Sequence, residues 1–204
     1  MSRLPRRSLL ALAPLGLAAC SVLPDRPYVE VRRFPLTPQH PGPVPGGRAR
    51  RVLLVRLMRA APGLEARGLR SLREDGTEQV DFYAEWSAPP SELAEEALRR
   101  WLAGSGLFSA VVAPGSRASA DLTLETELTA LLADLGRGEA RAGLSAVLLR
   151  EGGEGTRVVS QLAVTGTAPL PPGRPLRPEA LAAAMTEAFA AALGALERGI
   201  AAQA

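Results

Sequence analysis

Apolar positions recur along this chain with two different periods. In residues 121–132, Leu122, Leu124, Thr126 and Leu128 alternate with Thr123, Glu125 and Glu127, which is the pattern of a strand with one buried and one wet face. Residues 139–150 set Ala140, Ala142, Leu144, Ala146 and Leu148 on one side. Residues 157–167 follow after Glu151-Gly152-Gly153-Glu154-Gly155, a hairpin loop. The pattern predicts an antiparallel meander of three strands long enough to protrude beyond a compact sheet. Upstream, residues 51–58 are dense in Val and Leu and predict a buried strand. Residues 68–73 and 77–85 flank Glu74-Asp75-Gly76 and predict a hairpin. Residues 107–112 predict one more short strand.

Two stretches carry the helical period instead. Leu93, Ala94, Ala97, Leu98, Trp101 and Leu102 fall on one face after Pro89-Pro90. Ser87 or Ser91 is expected to cap this helix, Glu92, Glu95 and Glu96 suit its positive end, and Gly104 and Gly106 stop it. The last helix is expected to start at Pro178, after a proline-rich loop over 169–178. Its stripe is Leu181, Met185, Ala188, Phe189, Ala192, Leu193 and Leu196, its alanines let it lie close to a sheet, and Gly199 is expected to mark fraying. Two amphipathic helices on a mainly antiparallel or mixed sheet bury these faces most simply, so the predicted fold class is α+β.

The first 50 residues have neither period. Arg3, Arg6 and Arg7 precede an apolar run over 9–19, too short to span a bilayer comfortably, and the layout is that of a removable signal. Leu17-Ala18-Ala19-Cys20 resembles the lipobox of bacterial lipoproteins. That resemblance implies that residues 1–19 are a lipoprotein signal peptide. It further implies that Cys20 receives a diacylglyceryl thioether, becomes the mature N-terminus and is then often N-acylated, as with palmitate. Two or three acyl chains hold a protein firmly to a bilayer. Ser21, rather than Asp, after the cysteine favours the outer membrane by bacterial sorting rules. Arg6-Arg7 with Ser8-Leu9-Leu10 leaves general or twin-arginine export open. Residues 20–50 hold Pro24, Pro27, Pro35, Pro38, Pro41, Pro43 and Pro45 and read as a tether, stiff where proline is dense. Within it, residues 28–31 alternate and could form an edge strand, and His40 reads as a solvated loop residue. The expected domain occupies 51–204.

Composition changes the picture in two ways. The chain has 24 basic and 21 acidic residues, and the signal removes Arg3, Arg6 and Arg7 with no acid, leaving 21 against 21. The basic balance belongs to the signal, which argues against a nucleic-acid footprint. The single cysteine, Cys20, leaves none for a disulfide. With one histidine in the tether, no Ser/His/Asp set or His/Cys zinc cluster is expected, and no phosphate or dinucleotide loop occurs. No cofactor, metal or catalytic residue is therefore assigned, and the chain does not read as an enzyme. Glu125 and Glu127 share a strand face and read as its solvated surface. Trp101 reads as core, and Trp86, at a strand-to-helix junction, reads chiefly as a core plug. A lipid-anchored domain without such chemistry is expected to bind or scaffold.

The order of features carries a family likeness. After the lipobox, tether and Val/Leu strand come Tyr83-Ala84-Glu85-Trp86-Ser87-Ala88-Pro89-Pro90 and an amphipathic helix. Then follow Leu102-Ala103-Gly104-Ser105-Gly106-Leu107-Phe108 and Ala120-Asp121-Leu122-Thr123-Leu124. Over residues 20–200 this resembles the ABC-type transport auxiliary lipoprotein family, the PqiC-like proteins. The tether is unusually rich in proline, and residues 60–76 do not align readily. The resemblance implies a periplasmic domain on the outer membrane that works with an inner-membrane permease and ATPase and with an MCE-domain protein. Such systems move lipids between the membranes or maintain the envelope. The contacts would run through exposed sheet edges or loops, possible in a ring-like homo-oligomer. Two other readings stay open: an LptE-like lipopolysaccharide-assembly lipoprotein that partners an outer-membrane barrel, and a lipid-binding protein or enzyme of the envelope.

Overall fold

The computed structural model describes residues 28–42, 50–152, 155–173 and 175–203. The expected signal peptide, Cys20 and part of the expected tether lie outside the described residues. The compact unit runs from Val31 to Ala204.

One long strand organises the unit. β7 (Leu122–Asp134) pairs antiparallel along its whole length with β8 (Glu139–Gly152), which pairs likewise with β9 (Gly155–Pro169). These are the three long strands of the predicted meander. Leu122, Leu124, Leu128, Leu131 and Ala133 of β7 are buried, as are Ala140, Ala142, Leu144, Ala146 and Leu148 of β8. A bulge between Leu128 and Ala130 shifts the alternation by one residue, which is why Leu131 and Ala133, at odd positions, still face the core.

The other edge of β7 is shared by three short parallel strands in succession. β2 (Val52–Val55) takes Leu122 to Leu124, β3 (Arg59–Ala60) takes Glu127 and Leu128, and β4 (Gly68–Leu72) takes Ala133 and Asp134. β6 (Ala110–Val112) extends the sheet parallel to β2. β5 (Glu78–Trp86) closes the expected hairpin with β4, and β1 (Arg32–Phe34) adds parallel to β5. The sheet is thus mixed, with nine strands among the described residues.

Both helices were anticipated. α1 (Pro90–Gly104) buries Ala94, Ala97, Leu98, Trp101 and Leu102. Neither Ser87 nor Ser91 caps it: Pro89 is the N-cap and no side chain accepts there, because the Pro89-Pro90 pair fixes the entry and the Pro90 nitrogen has no hydrogen to satisfy. α2 (Pro178–Ile200) is long and apolar enough to cross a membrane by composition, yet Met185, Phe189, Ala192, Leu193 and Leu196 are wholly buried under the sheet. It lies very close to β9. A Cβ at Gly166 would stand 2.2 Å from the Ala188 carbonyl oxygen and 2.3 Å from the Ala192 nitrogen, so the strand meets the helix backbone directly. Gly199 lies one residue from the end of α2, which passes into a 3-10 turn over Ala201–Gln203, and a Cβ there would lie 2.7 Å from Leu162 Cδ1, so this glycine also serves close packing.

Residues 31–42 differ from the expectation of a tether. The strand falls at Arg32–Phe34 instead of 28–31, Leu36 is fully buried, and His40 packs on α1 and α2. Proline density does not prevent this, since a chain without regular structure still buries Leu36 and pairs where β5 offers an open edge.

Candidate docking surfaces

Three surfaces differ from an ordinary solvated face. The first is the strap that residues 35–42 lay over the two helices. His40 meets Trp101 edge-on, with ring centroids 4.7 Å apart. Gly42 N–H donates to His40 Nδ1 at 3.0 Å, which leaves the proton on Nε2, 3.0 Å from Glu197 Oε2. The same carboxylate oxygen accepts from Trp101 Nε1 at 2.6 Å. Glu197 is buried and its oxygen is satisfied twice, so this cluster locks the strap to α1 and α2. His40 is therefore a structural clamp, not the solvated loop residue expected. The periodicity of α2 hid Glu197 as one more charged residue beyond the apolar stripe.

The second surface is an irregularity in β5. Gly68 stands opposite Glu85 and Arg70 opposite Val80, so residues 81–84 are looped out against Leu69 alone. Asp81 Oδ1 holds the loop by accepting from the N–H groups of Tyr83 at 2.8 Å and Ala84 at 3.0 Å. Gly68 makes room for it: a Cβ there would lie 2.4 Å from the Asp81 carbonyl oxygen. The bulge throws Phe82 outward, 82% exposed, with Tyr83 edge-on beside it at 5.4 Å. Trp86, three residues on, returns to the core at 1% exposure, as the junction predicted.

The third surface belongs to β7–β9. Beyond Leu149 the β8–β9 hairpin leaves the helices behind, and Glu151, Gly152, Thr156, Arg157 and Val158 are exposed. β9 pairs only with β8, so its outer edge is open among the described strands. Where β2 departs from β7, a groove of about 580 Å³ lies between Leu54, Leu57, Pro114 and Thr126. Glu125 and Glu127 lie at this side of β7 and pair with Arg56 at 3.0 Å and Arg59 at 3.6 Å. They are a solvated, ion-paired face.

Two carboxyl groups are held below their ordinary values. Thr77 does this for Asp75, first through its hydroxyl and then through its N–H. For Glu179 the main-chain N–H at the start of α2 is the largest cause; burial opposes it, and Arg32 at 2.5 Å adds to the lowering. Both groups are on the surface and serve local structure. Among the described residues no group of three His, Cys, Asp or Glu side chains is arranged to hold a metal ion.

These features define an α+β domain with one sheet face covered by helices and several exposed elements of unusual geometry. The family is a specific one. The model for the ABC-type transport auxiliary lipoprotein component matches residues 34–201, and the chain belongs to that family. The chain is similar to the solved structure of protein XCC0632 from Xanthomonas campestris at 25% identity, with a TM-score of 0.63 over 87% of this chain and 95% of that one. It also shares its fold with a structure described as an uncharacterized protein, at 13% identity and a TM-score of 0.62, over 84% and 99% of the two chains. The hypothetical protein CT253 from Chlamydia trachomatis is a third, at 10% and 0.50, over 76% and 99%. No curated protein matches the chain. Family membership carries membrane anchoring, an envelope location and association with an ABC-type transport system.

Proposed function

We propose that this protein is the outer-membrane-anchored docking component of an MCE lipid transport system. Acylated Cys20 would hold it in the membrane, facing the periplasm, and residues 1–19 would be the signal peptide that delivers it. Its partners would be an MCE-domain protein and the permease and ATPase of the inner membrane. The domain acts by protein–protein contact and performs no reaction of its own. The observation that carries this reading is the family match over 34–201, which takes in every strand of the meander and both helices. The exposed β8–β9 end supports it by offering a partner a long hairpin with one open edge.

The test is affinity capture of the full-length protein after cross-linking in its own cells. An MCE-domain protein and its permease and ATPase are expected to be co-enriched. Recovery of a lipopolysaccharide-assembly barrel in their place would overturn the proposal in favour of the LptE-like reading. Mass spectrometry of the mature N-terminus tests the lipid on Cys20, and Cys20→Ala is expected to leave the membrane fraction.

A further inference from the structure

The Phe82–Tyr83 bulge stands where the chain coming from Cys20 enters the domain. β1 runs parallel to β5 with Arg32 opposite Ala84, so the compact unit begins beside the residue that follows Tyr83. Ten residues lie between Cys20 and Val31, which makes eleven steps from one Cα to the next. Fully extended they span at most about 40 Å. A lipid on Cys20 therefore tethers this entry point within about 40 Å of the bilayer.

We propose that the Phe82–Tyr83 pair is a membrane contact that seats the domain on the bilayer carrying its anchor. The proposal rests on the reading of Cys20 as lipidated. Aromatic rings settle at the headgroup level of a bilayer, where one part is apolar and another is wet. Phe82 and Tyr83 supply such a pair, and Val80 next to them is half exposed. The bulge is built: Asp81 fixes its two amides and Gly68 is the residue that lets it close. Nothing inside the fold needs Phe82 outside it. The nearby arginines already have carboxylate partners, Arg32 with Glu179 and both Arg33 and Arg67 with Glu85. The contact is therefore apolar and insensitive to salt.

Seating on this pair also orients the domain. β5 joins the sheet through β4 at the Ala133–Asp134 end of β7, whereas the β8–β9 tip lies past Leu122, which is opposite Arg150. Leu69, opposite the bulge, is two residues before Ser71, the partner of Ala133, so the bulge stands about 30 Å along β7 from Leu122. With the aromatic pair on the membrane, the hairpin tip points away from it.

The experiment uses the lipidated full-length protein in vesicles of phosphatidylethanolamine with a minor share of phosphatidylglycerol. With Cys20 acylated, Phe82→Cys supplies the one free thiol, which takes an environment-sensitive fluorophore. Thr156→Cys at the hairpin tip is the matched control. Brominated lipids are expected to quench the probe at 82 several-fold more than the probe at 156, equally at low and high salt. Equal, weak quenching at both positions, with the lipid on Cys20 verified by mass, overturns the membrane contact and leaves the anchor intact. A mature protein without lipid on Cys20 overturns the anchor reading and this proposal with it. A probe at 82 that responds only when a partner protein is added assigns the pair to that partner and also overturns the proposal.

Discussion

β7 has two edges, and they are built in opposite ways. On one side β8 and β9 continue it as long antiparallel neighbours under α2. On the other, β2, β3 and β4 each take a few residues and then leave. The first side buries a long row of Leu and Ala, shifted once by the bulge after Leu128, and spends its regularity on core. The second side is interrupted, and each interruption makes a surface: the groove beside Leu57, the bulge of β5, and the open edge that accepts β1. Stability is expected to reside mainly in the regular side, and recognition in the irregular side together with the tip where the meander outruns its helix.

The largest effect should come from spoiling the regular side. Gly166→Val would drive side-chain atoms into the backbone of α2, which has no rotamer to yield. Overpacking of this kind costs about 3 kcal/mol or more. Urea denaturation is expected to show loss of cooperative folding or an unfolding free energy lowered by that amount, with an earlier midpoint. A variant as stable as the parent would break the contrast between the two sides.

Next in size is the strap. Glu197→Ala removes the acceptor of the Trp101 indole N–H and the partner of His40. A buried donor left unpaired costs about 1–3 kcal/mol. Hydrogen exchange should speed up around residues 36–42 and at the facing helix turns, with the β7–β8 ladder protected as before. Exchange that rises equally along β7–β8 would show the strap to be part of the same cooperative core.

A smaller and more local change is expected from Asp81→Ala. It frees the two amides that hold the bulge and should cost about 1 kcal/mol. Amide chemical shifts should move in β5 and β4 and stay in β8 and β9. If the shifts at 82–84 do not move, Asp81 is not what fixes the bulge.

The smallest effect lies in the turn between β4 and β5. Thr77→Val deletes the hydroxyl that does most to lower Asp75, so the Asp75 carboxyl should titrate closer to its ordinary value. A carboxyl lowered in the folded state stabilises above its unfolded pKa and loses that contribution as pH falls through the folded value. The variant should therefore lose less stability on acidification than the parent. Carbon chemical shifts of the Asp75 carboxyl against pH provide the check, and an unchanged midpoint would refute the assignment.

Much of the regular side was legible in the sequence. Alternation over 121–132 and 139–150 identified the buried faces of β7 and β8, because the period of a strand is two and nothing nearby competes with it. Pro178 and the stripe from Leu181 to Leu196 placed α2. The irregular side was read less well. β3 has two residues and leaves no period, and the parallel partners of β7 depend on which distant segments reach its edge. Phe82 and Tyr83 looked like ordinary residues of a hairpin arm, and only the pairing of Gly68 with Glu85 shows that they are expelled. His40 was misread for a similar reason. Its neighbours in sequence are prolines, and its neighbours in space are Trp101 and Glu197.

What the sequence determined by itself is the set of elements with a local cause: apolar periods, proline starts, the Asp75-Gly76 turn, and the lipobox-like segment ending at Cys20. Those follow from forces acting over a few residues. The tertiary structure alone decided the order in which β2, β3 and β4 share one edge of β7, the clamp on residues 36–42 and the direction in which Phe82 points. Each of these is a choice among partners far apart in the chain, settled by which contacts satisfy the last open edge, the buried carboxylate and the space that a missing Cβ leaves.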